Sequence, residues 1–129
     1  MTKHAILSQD APAPIGPYSQ AVRVGDWIFL SGQIPVDPHT GEVIAGGVGA
    51  QTRQVLQNLQ AVLTAMGLNL DSIVKTTIYL TDLSAFAEVN EVYATYFHPP
   101  YPARATVQVS ALPKSVQVEI EAIAYAGSK

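Results

Sequence analysis

The chain contains no cysteine. Disulfides, thiolate nucleophiles and cysteine-held zinc or iron–sulfur centres are therefore excluded. Long hydrophobic runs are also missing. The longest covers the five residues 122–126, against the roughly 20 that a membrane-spanning helix needs. No hydrophobic signal core follows Met1-Thr2-Lys3-His4, so the cytoplasm is the expected compartment. Cationic side chains are scarce: 7 Lys plus Arg stand against 10 Asp plus Glu, for a net charge of −3. That balance argues against a general nucleic-acid binder. Charged residues make up 13% of the chain and apolar ones 48%, which is the composition of a folded protein. A length of 129 residues suits a single domain spanning 1–129, long enough to bury a core.

Glycine and proline divide the chain into elements. They cluster at 11–17, 35–49 and 99–102. Between the first two clusters lie two β-rich pieces within 21–32, broken at Gly25-Asp26, a hairpin signal. In 48–66, Val48, Thr52, Val55, Leu56, Leu59, Val62, Leu63 and Met66 recur at three- and four-residue steps. This spacing predicts an amphipathic helix, with Gly67 as its C-terminal stop. The β-branched and aromatic stretch 73–80 reads as a strand. Asp82 or Ser84 then caps a second helix that runs to about Phe97 with a stripe of Phe86, Val89, Tyr93 and Phe97, ended by Pro99-Pro100. Two strands, 104–111 and 116–125, follow and read as neighbours joined through Leu112-Pro113-Lys114-Ser115. The order β-β-β-α-β-α-β-β with only two helices predicts an α+β two-layer sandwich, one sheet face covered and the other open. Along the last strand Val116, Val118, Ile120 and Ala122 point one way and Gln117, Glu119 and Glu121 the other. The second set gives a moderately polar face, suited either to solvent or to a partner chain.

Most catalytic patterns are missing. The histidines His4, His39 and His98 are scattered and form no metal-ligand spacing. Ala45-Gly46-Gly47-Val48-Gly49 precedes a helix but lacks the Gly-Lys-Ser/Thr ending of a P-loop and the third glycine of a dinucleotide fingerprint. No serine sits in a Gly-x-Ser-x-Gly elbow. Three residues remain. Arg104, in Pro102-Ala103-Arg104-Ala105-Thr106, enters a strand where its fork could hold a carboxylate or form a salt bridge to an acid such as Glu119. Glu119 lies between Val118 and Ile120, where burial would raise its pKa and a nearby Arg would lower it. Tyr18 follows Gly16-Pro17 on a stiff turn, aiming its hydroxyl at a water or packing under the loop.

Together these pieces resemble the RidA/YjgF family of reactive intermediate/imine deaminases, in its archetypal RidA branch, along essentially the whole chain. The resemblance is carried by Pro102-Ala103-Arg104-Ala105-Thr106-Val107, Leu112-Pro113-Lys114 and Val118-Glu119-Ile120-Glu121-Ala122-Ile123-Ala124. Four further blocks match in order. They are 11–21 through Gly16-Pro17-Tyr18-Ser19-Gln20, then Leu30-Ser31-Gly32-Gln33-Ile34-Pro35, Val74-Lys75-Thr76-Thr77 and Phe86-Ala87-Glu88-Val89-Asn90.

The resemblance implies a chorismate-mutase-like α+β fold assembled as a homotrimer, with the sheets facing a central barrel and ligand clefts between subunits. It implies a 2-iminobutanoate/2-iminopropanoate deaminase, which hydrolyses reactive 2-enamine and 2-imino acids to 2-oxo acids and ammonia. Pyridoxal-phosphate dehydratases release such intermediates, so the implied role is control of metabolite damage. Arg104 would clamp the substrate carboxylate, and Glu119 and Tyr18 would position a water or move its proton. Ser31, Gly32, Asn90 and Thr106 would line the same cleft. No cofactor is expected, because an imine is already an electrophile. Many members carry cysteine where this chain has Thr106, so control through that thiol is unavailable. Two other functions stay open at this point. One is RNA cleavage or translation inhibition, attributed to some members and disfavoured by the acidic balance. The other is a non-enzymatic binder of small carboxylates with a chaperone-like role.

Overall fold

The computed structural model describes residues 2–127. Among these residues six strands, two helices and three short 3₁₀ turns follow one another. They are β1 (Lys3–Ile6), β2 (Ala21–Val24), β3 (Trp27–Gln33), α1 (Val48–Thr64), β4 (Ile73–Leu80), α2 (Phe86–Ala94), β5 (Ala103–Gln108) and β6 (Val118–Tyr125). The sheet order is β1-β2-β3-β6-β4-β5. All pairings are antiparallel except β4 with β5, which lie parallel. A parallel pair needs a crossover, and α2 provides it. The α+β class and the order of elements agree with the sequence pattern. Among the described residues no helix is long and apolar enough to cross a membrane.

Apolar spacing explains how the helices sit. Val55, Leu56, Leu59, Val62 and Leu63 of α1 are wholly buried. They meet Ile28, Leu30, Ile78, Val118, Ile120 and Ala122 from the sheet in one core cluster. Gly67 takes φ +73° just past α1, a left-handed stop that a residue with a β-carbon adopts at a cost. Gly25, at φ +60°, is the first central residue of the two-residue turn between Val24 and Trp27. That is glycine's place in a type II′ hairpin turn. In the first turn of α1 the Gly49 N–H donates to Glu88 Oε2 of α2 at 3.1 Å, which ties the two helices together.

Three expectations are corrected. First, β5 and β6 are not neighbours. The link between them crosses the end of β4, where Val109 N–H donates to the Leu80 carbonyl and Thr81 N–H to the Gln117 carbonyl. Lys114 and Ser115, both at φ 56°, turn the chain there. The apolar β6 thus takes the buried centre between β3 and β4, and β5 is left at the edge. Second, α2 stops at Ala94 instead of Phe97. The N–H groups of Thr95 and Tyr96 bond three residues back, to Val92 and Tyr93, and the Thr95 hydroxyl occupies the Val92 carbonyl as well. Third, both last strands are shorter than expected, because residues 109–117 serve the crossing.

The sheet face away from the helices is uncovered within one chain. Trp27, Phe29, Val107 and Tyr125 lie between 41% and 49% exposed, with the Trp27 and Tyr125 rings 4.8 Å apart. Glu119, Glu121 and Ile123 share this face, opposite to Val118, Ile120 and Ala122.

The segment before β2 is held by one side chain. Gln20 is 1% exposed. Its Oε1 accepts from Ser8 N–H at 2.6 Å, and its Nε2 donates to the Ser8 carbonyl at 3.1 Å and the Pro12 carbonyl at 2.9 Å. Gln20→Leu leaves these groups without partners in the interior, and the fold should lose about 2–3 kcal/mol. Urea unfolding measures this loss, and an unchanged midpoint contradicts the clamp.

Candidate functional site

Arg104 lies at the start of the edge strand, beside Thr76 of β4. Side-by-side residues of a parallel pair point the same way. Thr76 is fully buried beneath α2, with its Oγ1 2.8 Å from the Tyr93 hydroxyl. Arg104 therefore rises on the helix side of the sheet. There its Nη1 donates to Asn90 Oδ1 at 2.7 Å. Its guanidinium carbon stands 4.9 Å from the Tyr93 ring centre and 5.3 Å from that of Phe86, within the range of cation–π attraction. Asn90, Tyr93, Ala94, Tyr101, Pro102 and Arg104 line an open cleft of about 480 Å³. Among the described residues Arg23 meets Asp26 and the His98 ring meets Asp71, and Arg104 pairs with no carboxylate. Burial raises the Tyr93 phenol above its ordinary pKa, while the Thr76 hydrogen bond and the Arg104 charge pull it back.

Glu119 sits three strand positions further along and two strands away, opposite Tyr79. It is half-buried, and desolvation pushes its carboxyl above the ordinary carboxylate range, with the Glu121 charge pushing the same way. Of the two influences weighed from the sequence, burial prevails, because Arg104 is on the other side of the sheet. The carboxyl rests on Gly32, where a β-carbon would collide with Glu119 Oε2. Glycine is needed at this position for close approach, since its backbone is not left-handed. The neighbouring Ser31 fastens the Tyr18 loop to β3. Its N–H donates to the Gln20 carbonyl at 2.9 Å and its hydroxyl to the Ser19 carbonyl at 2.6 Å. Tyr18 is 54% exposed. With Pro12, Ile15, Gly32, Ile34 and Lys114 it lines a second, mostly apolar cleft of about 220 Å³.

The residues singled out from the sequence thus fall into two groups. Arg104, Asn90 and Thr106 belong to the helix side of the β5 edge. Tyr18, Ser31, Gly32 and Glu119 gather around the end of β3. Strand spacings put the Cα atoms of Arg104 and Glu119 roughly 14 Å apart, with their side chains on opposite faces. The salt bridge between them that the sequence left open does not form within one chain. Sequence reasoning missed Tyr93, Thr76 and Tyr101 as parts of the site. It did place Phe86 and Tyr93 on the α2 stripe. Phe86, Asn90 and Tyr93 follow at four- and three-residue steps, so the shared helix face was legible, but its contact with a strand arginine was not. Among the described residues no three His, Cys, Asp or Glu side chains gather as a possible metal site.

The raised Glu119 carboxyl makes a prediction about stability. A carboxyl whose pKa is higher in the folded chain contributes stability below its unfolded pKa, and this contribution is lost as the pH rises through the folded value. Glu119→Gln removes a charge that burial and Glu121 both oppose. The variant should melt above the wild type at neutral pH and converge with it in acid. Melting curves at the two pH values decide this, and a lower melting point for the variant at neutral pH contradicts it.

Known proteins resemble this chain in sequence and in fold. A RutC family protein of Pyrococcus horikoshii is 54% identical over 95% of this chain and 98% of its own length. The mouse protein named 2-iminobutanoate/2-iminopropanoate deaminase is 49% identical, over 97% of this chain and 93% of its own. The crystal structure of Escherichia coli TdcF with bound serine superposes with a TM-score of 0.90 at 48% identity, covering 96% of this chain and 99% of that one. Residues 8–126 match the endoribonuclease L-PSP family. The chain belongs to that family, the RidA/YjgF family whose motif blocks its sequence carries.

Proposed function

We propose that this chain is a 2-imino acid deaminase acting on 2-iminopropanoate, 2-iminobutanoate and their enamine tautomers. The observation that carries this reading is the Arg104 guanidinium, held at the mouth of a cleft with no carboxylate to compensate it. One Nη1 hydrogen goes to Asn90. The Nε–Nη2 edge has no hydrogen-bond partner among the described residues, and its two parallel N–H bonds match a carboxylate. A 2-imino acid presents that carboxylate next to its electrophilic carbon. The named activity of the mouse relative and the serine bound by TdcF, itself an amino acid carboxylate, support the same ligand class.

Hydrolysis needs little more than a positioned water and a proton carrier. Water adds to the C=N carbon, and a proton passes to nitrogen. The tetrahedral carbinolamine then expels ammonia, leaving the 2-oxo acid. A carboxyl kept above the ordinary carboxylate range is suited to take the water's proton and return it to the leaving nitrogen. Glu119 is that group in this reading, with Tyr18, which lines a cleft together with the Gly32 that Glu119 rests on, as an orienting partner. Ser31 holds the Tyr18 loop in place, and Thr106 shares the Arg104 side of β5. The substrates are products of pyridoxal-phosphate dehydratases, which places this chain downstream of such enzymes.

The two groups lie on opposite faces of one sheet, so the reading also requires assembly. We infer a homotrimer in which the Arg104 edge of one subunit meets the Glu119 groove of the next. The uncovered apolar side chains Trp27, Phe29, Val107 and Tyr125 support this inference, because such a face is more stable against a partner than in water.

Four measurements test the proposal. Added to a threonine dehydratase reaction, the wild type should accelerate 2-oxobutanoate release. Arg104→Ala should lose at least about tenfold in kcat/KM and Glu119→Gln about a hundredfold in kcat. Co-refolding equal amounts of Arg104→Ala and Glu119→Gln chains should restore about a quarter of the wild-type sites, since each shared site then has one chance in four of drawing both intact halves. No acceleration by the wild type defeats the assignment. Acceleration without recovery on mixing, or a monomeric mass in solution, defeats the shared site.

A further inference from the structure

We propose that Asn90, Tyr93 and Thr76 are positioning residues that hold the Arg104 guanidinium through neutral contacts alone, which keeps its charge free for an incoming carboxylate. The inference rests on the functional reading above and assigns a role to the α2 surface behind the arginine.

The geometry is a relay from the buried sheet outward. Thr76, the register partner of Arg104 in β4, is 0% exposed. Its Oγ1 lies 2.8 Å from the Tyr93 hydroxyl. The Tyr93 ring is also stacked on Phe97, with 4.4 Å between ring centres. A ring bonded at its hydroxyl and packed on a face is restrained, and the guanidinium carbon lies over it at 4.9 Å. Phe86 stands at 5.3 Å and Asn90 Oδ1 caps Nη1 at 2.7 Å. A free arginine side chain has several rotatable bonds, and a ligand that must still order it binds less tightly.

What the cradle leaves out matters as much. The usual partner for an ordered arginine is Asp or Glu, which would fix the side chain and also cancel its charge. Here the acceptor is an amide and the remaining contacts are aromatic faces. They attract the cation through a dipole and ring quadrupoles and carry no net charge. An incoming carboxylate therefore meets the whole positive charge, already aimed. Asn90, which the family resemblance puts among the cleft residues, on this account serves the arginine directly.

The test separates positioning from mere structural support. The probe is 2-oxobutanoate, the product carboxylate, titrated by calorimetry, alongside steady-state imine hydrolysis. Asn90→Asp keeps the size and the hydrogen bond but adds a negative charge. It should fold with an unchanged melting point and bind 2-oxobutanoate at least about tenfold more weakly, with the loss appearing in KM. Tyr93→Leu removes the ring and should weaken binding comparably. Tyr93→Phe keeps the ring but cuts the Thr76 hydrogen bond, as Thr76→Val does, so both should weaken binding by a smaller and similar factor, and wild-type binding by both overturns the role given to Thr76. If wild type binds the probe and Asn90→Asp binds it equally well, the inference is overturned while the functional reading stands. If Tyr93→Leu is too unstable to purify, Asn90→Asp and Tyr93→Phe still decide. A wild type that neither binds 2-oxobutanoate nor speeds imine loss overturns the functional reading and this inference with it.

Discussion

Side chains alternate along a β-strand, and in this sheet the alternation keeps Arg104 and Glu119 apart. Arg104 is in register with Thr76, which faces the helices, and Glu119 with Tyr79, which faces away. A shift of β6 by one residue would bring the two to the same face. It would also expose Val118 and Ile120, which are fully buried, so the core fixes the separation. The proposed chemistry then depends on a second chain to close the distance. The uncovered face, with Trp27, Phe29, Val107 and Tyr125, belongs to the same constraint: two helices cover only one side of six strands.

Each half is prepared differently. The arginine half is packed behind the charge: the buried Tyr93 is bonded to Thr76 and stacked on Phe97, and Asn90 accepts from the guanidinium. The carboxylate half relies on close approach. Gly32 lets Glu119 lie against the backbone of β3, and that position strips water from the carboxyl and raises its pKa. Behind it, Gln20 ties the 8–12 segment to the end of the Tyr18 loop, and Ser31 fastens that loop to β3. Asn58 of α1 does similar work on the other side of β3, donating to the Ile34 and Val36 carbonyls at 3.2 and 3.0 Å. Buried amides thus hold the irregular segments where no strand pairing is available.

Much of this was legible in the chain. The apolar steps of α1, the turn at Gly25-Asp26 and the strand at 73–80 follow from period and turn chemistry, and the structure reproduces them. Arg104 and Glu119 could be picked out as candidates from the scarcity of cations and from Val118 and Ile120 on either side. The partnership of β5 with β6 could not be read correctly. A linker containing proline looks like a hairpin connection until the left-handed Lys114 and Ser115 carry it across the end of β4. The end of α2 was not legible, because Phe97 continues the apolar stripe while the N–H groups of Thr95 and Tyr96 already bond in the tighter three-residue pattern.

By itself the sequence determined the element order, the apolar side of each element and the family, because these depend on local periodicity and on residues in fixed order along the chain. Only the tertiary structure decided that β6 takes the centre of the sheet, that Tyr93 lies under the Arg104 guanidinium, and that Arg104 and Glu119 look out from opposite faces. Those facts depend on which strands pair and in what register. Pairing is settled by burying the most apolar strand between two others, a comparison among distant segments that no local window of sequence contains.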